Sequence, residues 1–271
     1  MTNPGLWNRV GEQPCPSWYL DPLAAAQKRD AHLDLLRQWL GGATPQRLLK
    51  TDLFEEAFGD DQILAALAAE FPGACYGIDQ AYSVVLSAAR RHAALGRGIA
   101  VMDVRSLAFR DGAFDVIVST STLDHFETRG EFLTALAELV RVLAPGGRAV
   151  ITLDNPWNPL FHPLRWVSRC RQAPFPLGYT TSRATLAADL QRLGLTVERQ
   201  GWLLHNPRGL STALFLLLRR LLGRRAGGLI RALLALFALL GRLPSRPLTA
   251  CFHASLACKR PGQPPGNRSE E

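Results

Sequence analysis

The sequence predicts an α/β fold in which a mostly parallel sheet is covered by helices on both faces. After Pro45, short apolar segments of strand type alternate with segments of helical periodicity, which is the signature of such a sheet. Three of the apolar segments also end at a carboxylate or run directly into one: Asp79, Asp103 and Asp154. Because ligands of open α/β sheets bind where the C-terminal ends of the strands meet, these carboxylates also indicate where a site lies.

The predicted elements follow one another in regular order. A helix over residues 24–40 opens at Asp21-Pro22 and closes at Gly41-Gly42. The predicted strands are 47–51, 74–78, 98–102, 114–119, 148–153, 195–203 and 249–259. The predicted helices between them are 62–70, 82–95, 130–143 and 181–193. The stretch 155–177 is rich in proline and is predicted to be an irregular loop, and loops of this length usually carry function.

Composition favours a globular protein with one main domain, since 47% of the 271 residues are hydrophobic and 20% are charged. The five cysteines are an odd number and lack C-x-x-C spacing, which favours a reduced, cytoplasmic setting. The N-terminus has no basic start and no apolar run, so we predict no secretory signal. We also predict no metal site, and a disordered tail over residues 261–271.

The net charge of +8 comes from one segment. Residues 207–247 contain eight arginines and no acidic residue, and the rest of the chain has equal numbers of basic and acidic residues. Aromatic residues and lysines do not interleave with these arginines, so nucleic-acid binding is not favoured. Two uncharged stretches, 209–218 and 232–241, are each too short for the ~20 residues of a membrane span.

This segment is predicted to form a helical hairpin that lies on a membrane, with its apolar side in acyl chains and its arginines among anionic headgroups. The alternative is a helical cap that is buried against the sheet or in a dimer, and the oligomeric state is left open.

Five motifs resemble those of a known family. They are Tyr76-Gly77-Ile78-Asp79, Met102-Asp103-Val104-Arg105, Phe114-Asp115-Val116-Ile117-Val118-Ser119, Leu143-Ala144-Pro145-Gly146-Gly147 and Ile151-Thr152-Leu153-Asp154-Asn155. In order and interval they resemble the motifs of class I S-adenosylmethionine-dependent methyltransferases, over residues 47–203 and, with the last strand, 249–259. The resemblance implies a Rossmann-like, seven-stranded sheet of order 3-2-1-4-5-7-6 with an antiparallel last strand. It also implies S-adenosyl-L-methionine as cofactor and a small-molecule methyl acceptor.

The resemblance carries cofactor-binding roles to particular positions. Asp79 would hold the ribose hydroxyls, Asp103 would face the adenine amino group, and Val104 would pack on the purine. The residues from Ser119 to Ser121 would lie beneath the sulfonium. The full implied set is Lys50, Thr51, Asp52, Phe54, Glu55, Asp79, Gln80, Asp103, Val104, Arg105, Ser119, Thr120 and Ser121. From the residues alone, Asp79 could equally cap the following helix.

The segment after the first strand departs from the family pattern. Where the family has an acid followed by three alternating glycines, this chain has Lys50, Asp52, Phe54 and Glu56. Bulky residues do not adopt positive φ cheaply, so the backbone is not expected to follow the glycine path, and phosphate cradling is excluded. S-adenosylmethionine has no phosphate and is cationic at its sulfonium and ammonium groups, so acidic side chains beside it are electrostatically reasonable.

We therefore predict that side chains bind the methionine end of the ligand. Thr51 and Asp52 would fix the ammonium group with support from Glu55, and Lys50 or Lys28 would meet the carboxylate. The alternative is a pocket that binds nothing, which would make the protein a non-catalytic binding or membrane-associated interaction protein that keeps the fold.

His125 follows the fourth strand, where the family places groups near the transferred methyl. Its intrinsic pKa suits a general base if the nucleophile is a hydroxyl or an acidic carbon. In the alternative interpretation Asp124 caps the next segment and His125 packs against it. The predicted substrate residues are Asn155, Trp157, Asn158, His162 and Tyr179. The aromatic members, together with Phe161, Trp166 and Phe175, suit a planar or apolar acceptor, or else form a hydrophobic lid without a role in specificity.

The predicted organisation has four parts. They are an N-terminal helical cap (1–44), a methyltransferase-like α/β domain (45–206 with 248–260), an arginine-rich apolar helical insertion (207–247) and the tail (261–271). The predicted function is methyl transfer to a lipid-like or quinone-like acceptor, by a cytoplasmic protein that is peripheral on the inner face of the membrane.

Overall fold

The computed structural model describes residues 21–42, 45–71, 73–93, 98–169 and 177–261. Its strands form a seven-stranded sheet of order β3-β2-β1-β4-β5-β7-β6. The strands are β1 Arg47–Thr51, β2 Ala74–Asp79, β3 Ile99–Val101, β4 Phe114–Thr120, β5 Leu143–Asp154, β6 Leu195–Leu203 and β7 Phe252–Lys259. Strands β1 to β5 pair in parallel, and β7 pairs antiparallel with both β5 and β6. The strand order and the antiparallel last strand are therefore confirmed.

Helices cover both faces of this sheet. They are α1 Pro22–Leu40, α2 Phe54–Phe58, α3 Leu64–Glu70, α4 Tyr82–Arg91, α5 Arg129–Val142, α6 Phe161–Ser168, α7 Arg183–Arg192, α8 Leu210–Leu222, α9 Ala226–Leu240 and α10 Arg246–Thr249. The start of α1 is set as the sequence predicts, because Asp21 accepts a hydrogen bond from the backbone N–H of Leu23 (2.9 Å).

Two apolar clusters lie on the two sides of the sheet. Adjacent β1 residues go to different clusters, Leu49 to the one that includes Phe132 of α5, and Leu48 to the one that includes Leu36 of α1. Successive strand side chains point to opposite faces, so strands buried on both sides must be apolar almost throughout. This is why the sequence shows continuous apolar runs in place of strict alternation.

Three elements differ from the sequence-based expectation. The residues just after β1 form the short helix α2, which the sequence analysis did not predict. The stretch 155–177 was predicted to be irregular, but it contains the helix α6. Strand β5 begins at Leu143, directly after α5, so the glycine pair at Gly146-Gly147 lies inside the strand and does not precede it. The predictions for residues 1–20, Leu95, Phe175 and 262–271 lie outside the described residues.

The arginine-rich segment forms two helices, α8 and α9. Their inner sides pack on α1 in an apolar cluster that contains Ala24, Phe215, Ala226, Ile230 and Leu234. None of the helices in the described part of the chain is both long enough and apolar enough to cross a membrane.

Candidate functional site

A cleft opens at the C-terminal ends of β1, β2 and β4. Its lining contains eight of the residues predicted from the sequence: Thr51, Asp52, Phe54, Asp79, Gln80, Asp103, Val104 and His125. The lining also contains Ile78, Val84, Met102, Thr122 and Phe126, to which the sequence analysis gave no role. The cleft lies where a parallel α/β sheet is expected to bind its ligands.

A buried ion pair lies behind the segment that replaces the family's glycines. The ammonium of Lys50 is 3.0 Å from a carboxylate oxygen of Glu56, and both side chains are almost fully buried. The other oxygen of Glu56 accepts hydrogen bonds from the backbone N–H groups of Ile63 and Leu64, at the start of α3. The predicted contact between Lys50 and the carboxylate end of a ligand is therefore corrected. Lys50 lies outside the cleft lining, and its charge is balanced by Glu56.

Asp52 adopts the left-handed backbone conformation that a glycine would otherwise supply. Its φ is 67°, and Asp is one of the few residue types that tolerate this region. The Lys50 ammonium donates to its backbone carbonyl (2.5 Å), and its side chain accepts from the backbone N–H of Phe54 (2.8 Å). The expectation that the chain avoids positive φ after β1 is thus wrong at this position, because Lys50 and Phe54 hold the turn from both sides.

Asp79 both organises the backbone and lines the cleft. One carboxylate oxygen accepts from the N–H of Leu53 (3.0 Å), and the other accepts from the N–H of Ala81 (2.8 Å), just before α4. Each oxygen retains a further lone pair for a ligand. The two alternatives that the sequence left open for Asp79 are therefore compatible.

The Asp52 and Asp79 carboxyl groups in the cleft wall are costly to ionise because they are buried. Burial, reinforced by the nearby carboxylates of Glu55 and Asp79, raises the pKa of Asp52 well above its usual range. Burial also raises the pKa of Asp79, against the lowering effect of its two backbone hydrogen bonds. A cationic ligand would relieve this cost, so the donor set fits the sulfonium and ammonium groups of S-adenosylmethionine.

Lys28 and Glu55 pair with each other at the edge of the site. The Lys28 ammonium lies 3.0 Å from Glu55 and 2.6 Å from Asp61, which ties α1 to the segment after β1. Burial alone would raise the pKa of Glu55, but Lys28 and Lys50 outweigh it and lower that pKa to about 2. Neither Lys28 nor Glu55 belongs to the cleft lining, so their predicted contacts with the ligand are replaced by this pair.

Asp103 is held by the residue two positions further on. The Arg105 guanidinium contacts both carboxylate oxygens of Asp103, with a shortest distance of 2.6 Å, and also reaches Glu131 (2.8 Å). Although burial opposes it, this pairing lowers the pKa of Asp103. The same guanidinium lies over the ring of Phe126, 5.3 Å from its centroid. Arg105 thus orients two residues of the cleft wall without lining the cleft itself.

Hydroxyl groups connect the ends of β1 and β4. Thr51 donates to Ser119 (3.0 Å), and its oxygen lies 2.6 Å from that of Thr122. Ser119 is fully buried behind the cleft, and Thr120 and Ser121 also lie outside the lining. In this turn the hydroxyl group that lines the cleft belongs to Thr122, which was not among the predicted residues. Its position directly after the predicted set was the signal that could have found it.

The polar residues at the end of β5 make structural contacts that hold neighbouring segments together. Asp154 pairs with Arg208, and Asp124 accepts a hydrogen bond from the Asp154 backbone N–H (2.6 Å). The side-chain amide groups of Asn155 and Asn158 both donate to the carbonyl of Ala250 (3.0 Å each), just before β7. The predicted substrate contacts of Asn155 and Asn158 are corrected, since both are buried and hold two loops together. Asp124 fastens β5 and does not cap the next segment.

The aromatic residues predicted to line an acceptor site are dispersed. Trp157 and His162 are exposed, and Tyr179 packs beside Phe132 at the edge of the main core, with 5.4 Å between ring centroids. None of the three lines the cleft. Over the described ranges, no group of three or more His, Cys, Asp or Glu side chains is arranged to hold a metal ion.

Comparisons with known proteins agree with this geometry. A family model described as a methyltransferase domain matches residues 55–151. Demethylmenaquinone methyltransferase of Thermus thermophilus is 36% identical over 118 residues, which are 42% of this chain and 50% of that protein. Probable tRNA methyltransferase 9B of Mus musculus is 45% identical over 60 residues, which are 21% of this chain and 13% of that protein. The matched regions thus span at most half of these relatives.

Among solved structures, N-methyltransferase NodS from Bradyrhizobium japonicum, in complex with S-adenosyl-L-homocysteine, aligns with a TM-score of 0.54. The alignment covers 96% of this chain and 97% of NodS at 18% identity, which shows a shared fold.

Proposed function

The chain belongs to the class I S-adenosylmethionine-dependent methyltransferases, and on that premise we propose that it transfers a methyl group from S-adenosylmethionine to a small acceptor molecule. The observation that carries the proposal is the position of Asp79, at the end of β2 in the wall of an acidic cleft. When bound, the cofactor supplies an electrophilic methyl group. Asp79 would hold the ribose hydroxyls, Val104 would pack on the purine, and Asp52 would face the ammonium group.

The protein's contribution to methyl transfer is mainly alignment and exclusion of water. An in-line displacement needs the nucleophile held at the methyl carbon, and its lone pair forms the new bond while the sulfur keeps the electrons of the old one. His125 lines the cleft after β4 and is the group that would take the proton of a hydroxyl or acidic carbon nucleophile.

The variant Asp79→Asn tests cofactor binding. It keeps an oxygen acceptor for one of the two backbone N–H groups that Asp79 binds, places an amide NH2 at the other, and removes the charge offered to the ribose. Loss of two charge-assisted hydrogen bonds, at the lower end of their range, totals about 3 kcal/mol, so affinity measured by calorimetry falls about 150-fold. Asp111→Asn, at an exposed carboxylate outside the cleft lining, is the matched control and keeps wild-type affinity. Unchanged affinity in Asp79→Asn would remove the central assignment.

Absence of any heat or thermal shift with S-adenosylmethionine in the wild-type protein would favour a non-catalytic binding protein. The observation that favours this second candidate function is the replacement of the family's glycines by Asp52, Phe54 and Glu56. Calorimetry on the wild-type protein separates the two candidates before any substitution is made.

The variant His125→Gln tests the proton acceptor. We expect kcat to fall by about 10²-fold to 10⁴-fold while cofactor affinity stays unchanged. The ascending limb of the kcat pH profile should also disappear. Unchanged kcat would assign His125 to packing alone.

The acceptor we propose is lipid-like or quinone-like. This is supported by the name of the Thermus relative and by the apolar surface of α8 and α9. Such molecules partition into bilayers, so the protein would work at a membrane surface, on the inner face if it is cytoplasmic. Methyl transfer from labelled S-adenosylmethionine to a demethylated quinol in detergent micelles is the expected result. Transfer to tRNA in its place would overturn the acceptor class and leave the transfer chemistry standing.

A further inference from the structure

The helices α8 and α9 pack against each other, and their outer side is apolar. Along α8, the leucines at 210, 214, 217 and 221 are exposed and lie on one stripe, since they are spaced by three or four residues. Along α9, exposed leucines at 229, 236 and 239 form a second stripe. Leu221 is 69% exposed, and nothing in the described ranges covers either stripe. Such extensive exposure of leucine is unusual for a surface that meets only water.

The inner side of the same helices is packed against α1. Phe215, Ile230 and Leu234 are buried against each other and against Ala24 of α1. Arg219 pairs with Asp21 at the start of α1 (2.7 Å). The helices are thus fixed on the body of the protein, and their outer leucines are not needed to stabilise that attachment.

Arginines accompany the apolar stripes without any compensating acid. The exposed arginines of the segment are Arg220, Arg224, Arg225, Arg231, Arg242 and Arg246. Between residues 207 and 247 there is no Asp or Glu. A surface that combines leucine with unopposed positive charge is complementary to a bilayer with anionic headgroups, because the leucines enter the acyl boundary while the guanidinium groups remain among the phosphates.

The neighbouring helix α6 also carries exposed apolar side chains. Trp166 of α6 is 74% exposed, and Val167 beside it is also exposed. Helix α6 meets the start of α8 directly, since an added Cβ at Gly209 would lie 2.6 Å from a side-chain carbon of Leu164. Tryptophan side chains favour the headgroup level of membranes, where one part of the ring is apolar and its N–H remains hydrated.

We propose that the outer side of α8 and α9, extended by Trp166, docks this protein on the surface of an anionic lipid bilayer. The helices lie in the interface and do not cross it. Arg208 connects this surface to the sheet, because it is one residue before Gly209 and its guanidinium pairs with Asp154 at the end of β5. Docking therefore fixes the orientation of the strand ends, and of the cleft beside them, relative to the bilayer.

Co-sedimentation with vesicles tests the docking, with the full chain and no added cofactor. One set of vesicles contains phosphatidylcholine and phosphatidylglycerol in equal parts, and the other contains phosphatidylcholine alone. We expect binding to the mixed vesicles, weaker binding to phosphatidylcholine, and a decrease as salt is raised. Equal binding to both sets of vesicles would show that the arginines do not contribute to docking. Absence of binding to both sets would overturn the proposal.

Two double variants separate charge from apolar insertion. Arg224→Gln with Arg225→Gln should weaken binding to the mixed vesicles about 25-fold, at about fivefold for each arginine near an anionic surface. The matched control is Arg90→Gln with Arg110→Gln, at two exposed arginines elsewhere, and it should bind as wild type. If both double variants weaken binding equally, net charge and not this surface is responsible.

Leu217→Ser with Leu221→Ser should weaken binding about 100-fold on both vesicle types, since each exposed leucine contributes about tenfold when it enters the acyl boundary. Val101→Ser, which removes an exposed apolar side chain from β3, is the control. Both leucines are exposed, so the thermal midpoint should not fall. Vesicle binding that survives the leucine variant would overturn the docking surface.

Two further outcomes would assign the surface to another partner. The first is binding of tRNA that competes with vesicles and is lost in the Arg224 and Arg225 variant. The second is a dimer in solution that becomes monomeric in the leucine variant and does not bind vesicles. Calorimetry with S-adenosylmethionine on the same variants should give wild-type affinity. Failure of docking is therefore distinguishable from failure of cofactor binding.

Discussion

The buried ion pair of Lys50 and Glu56 allows a quantitative test of what holds the segment after β1 in place. In Lys50→Met the Glu56 carboxylate stays buried without its partner, and breaking a buried pair in this way costs about 3–5 kcal/mol of the free energy of unfolding. Glu56→Gln alone should cost a similar amount, because it leaves the buried ammonium of Lys50 without its charged partner. The neutral double variant keeps an oxygen that can accept from Ile63 and Leu64, so we expect it to lie within about 2 kcal/mol of wild type.

The assay is urea unfolding of the four proteins in the cycle, with Arg110→Met as a control for loss of an exposed cation. Lys50 also donates to the carbonyl of Asp52, so the single variant should weaken binding of S-adenosylmethionine as well. If Lys50→Met unfolds within about 1 kcal/mol of wild type, or if the double variant costs the sum of the two single variants, the pair does not organise this segment.

Three other predictions concern the carboxyl groups of the cleft and two glycines elsewhere in the fold. The pKa values of Asp52 and Asp79 are raised in the free protein, so it holds more protons than its complex with a cationic ligand. Affinity for S-adenosylmethionine should therefore rise as pH is increased from the acidic range towards these raised pKa values, by up to tenfold per pH unit for each group. Calorimetry in buffers of different ionisation enthalpy should detect proton release, and pH-independent affinity would contradict it. Gly178→Ala should lower the free energy of unfolding by about 1–3 kcal/mol, because the new Cβ would lie 2.2 Å from the backbone oxygen of Phe126. Gly228→Ala, at an exposed helical glycine with open space around it, should raise that free energy by about 0.5 kcal/mol, and equal effects of the two in thermal unfolding would refute the steric argument.

Much of the fold could be predicted from the sequence, because the signals that mark strands and helices are local. The carboxylates at 79, 103 and 154 mark strand ends, and the structure places all three at or just after the ends of β2, β3 and β5. The helix α2 was missed because its five residues have no periodicity that can be measured. It is set by contacts, such as the side chain of Asp52 accepting from the N–H of Phe54.

Assigning roles within the site was harder, because those roles depend on distant partners. Asn155 looked like a substrate ligand in sequence, but its amide group donates to the carbonyls of Pro247 and Ala250, more than ninety residues away. Lys50 looked like a carboxylate ligand, but its partner Glu56 lies behind the cleft. Polar residues after a strand therefore indicate the position of a site better than the role of each side chain.

The place of β7 in the sheet has a consequence for the order of assembly. This strand lies between β5 and β6, and it pairs with residues 148–154 of β5 and with β6 from Leu195 to Leu203. Until it has been synthesised, β5 and β6 have no common neighbour, and each leaves an unpaired edge facing a gap one strand wide. The leucine-rich helices are made before that gap can close. A nascent chain thus exposes the leucine stripes of α8 and α9 while its sheet is still open, a period in which a nearby bilayer or chaperone would have most effect.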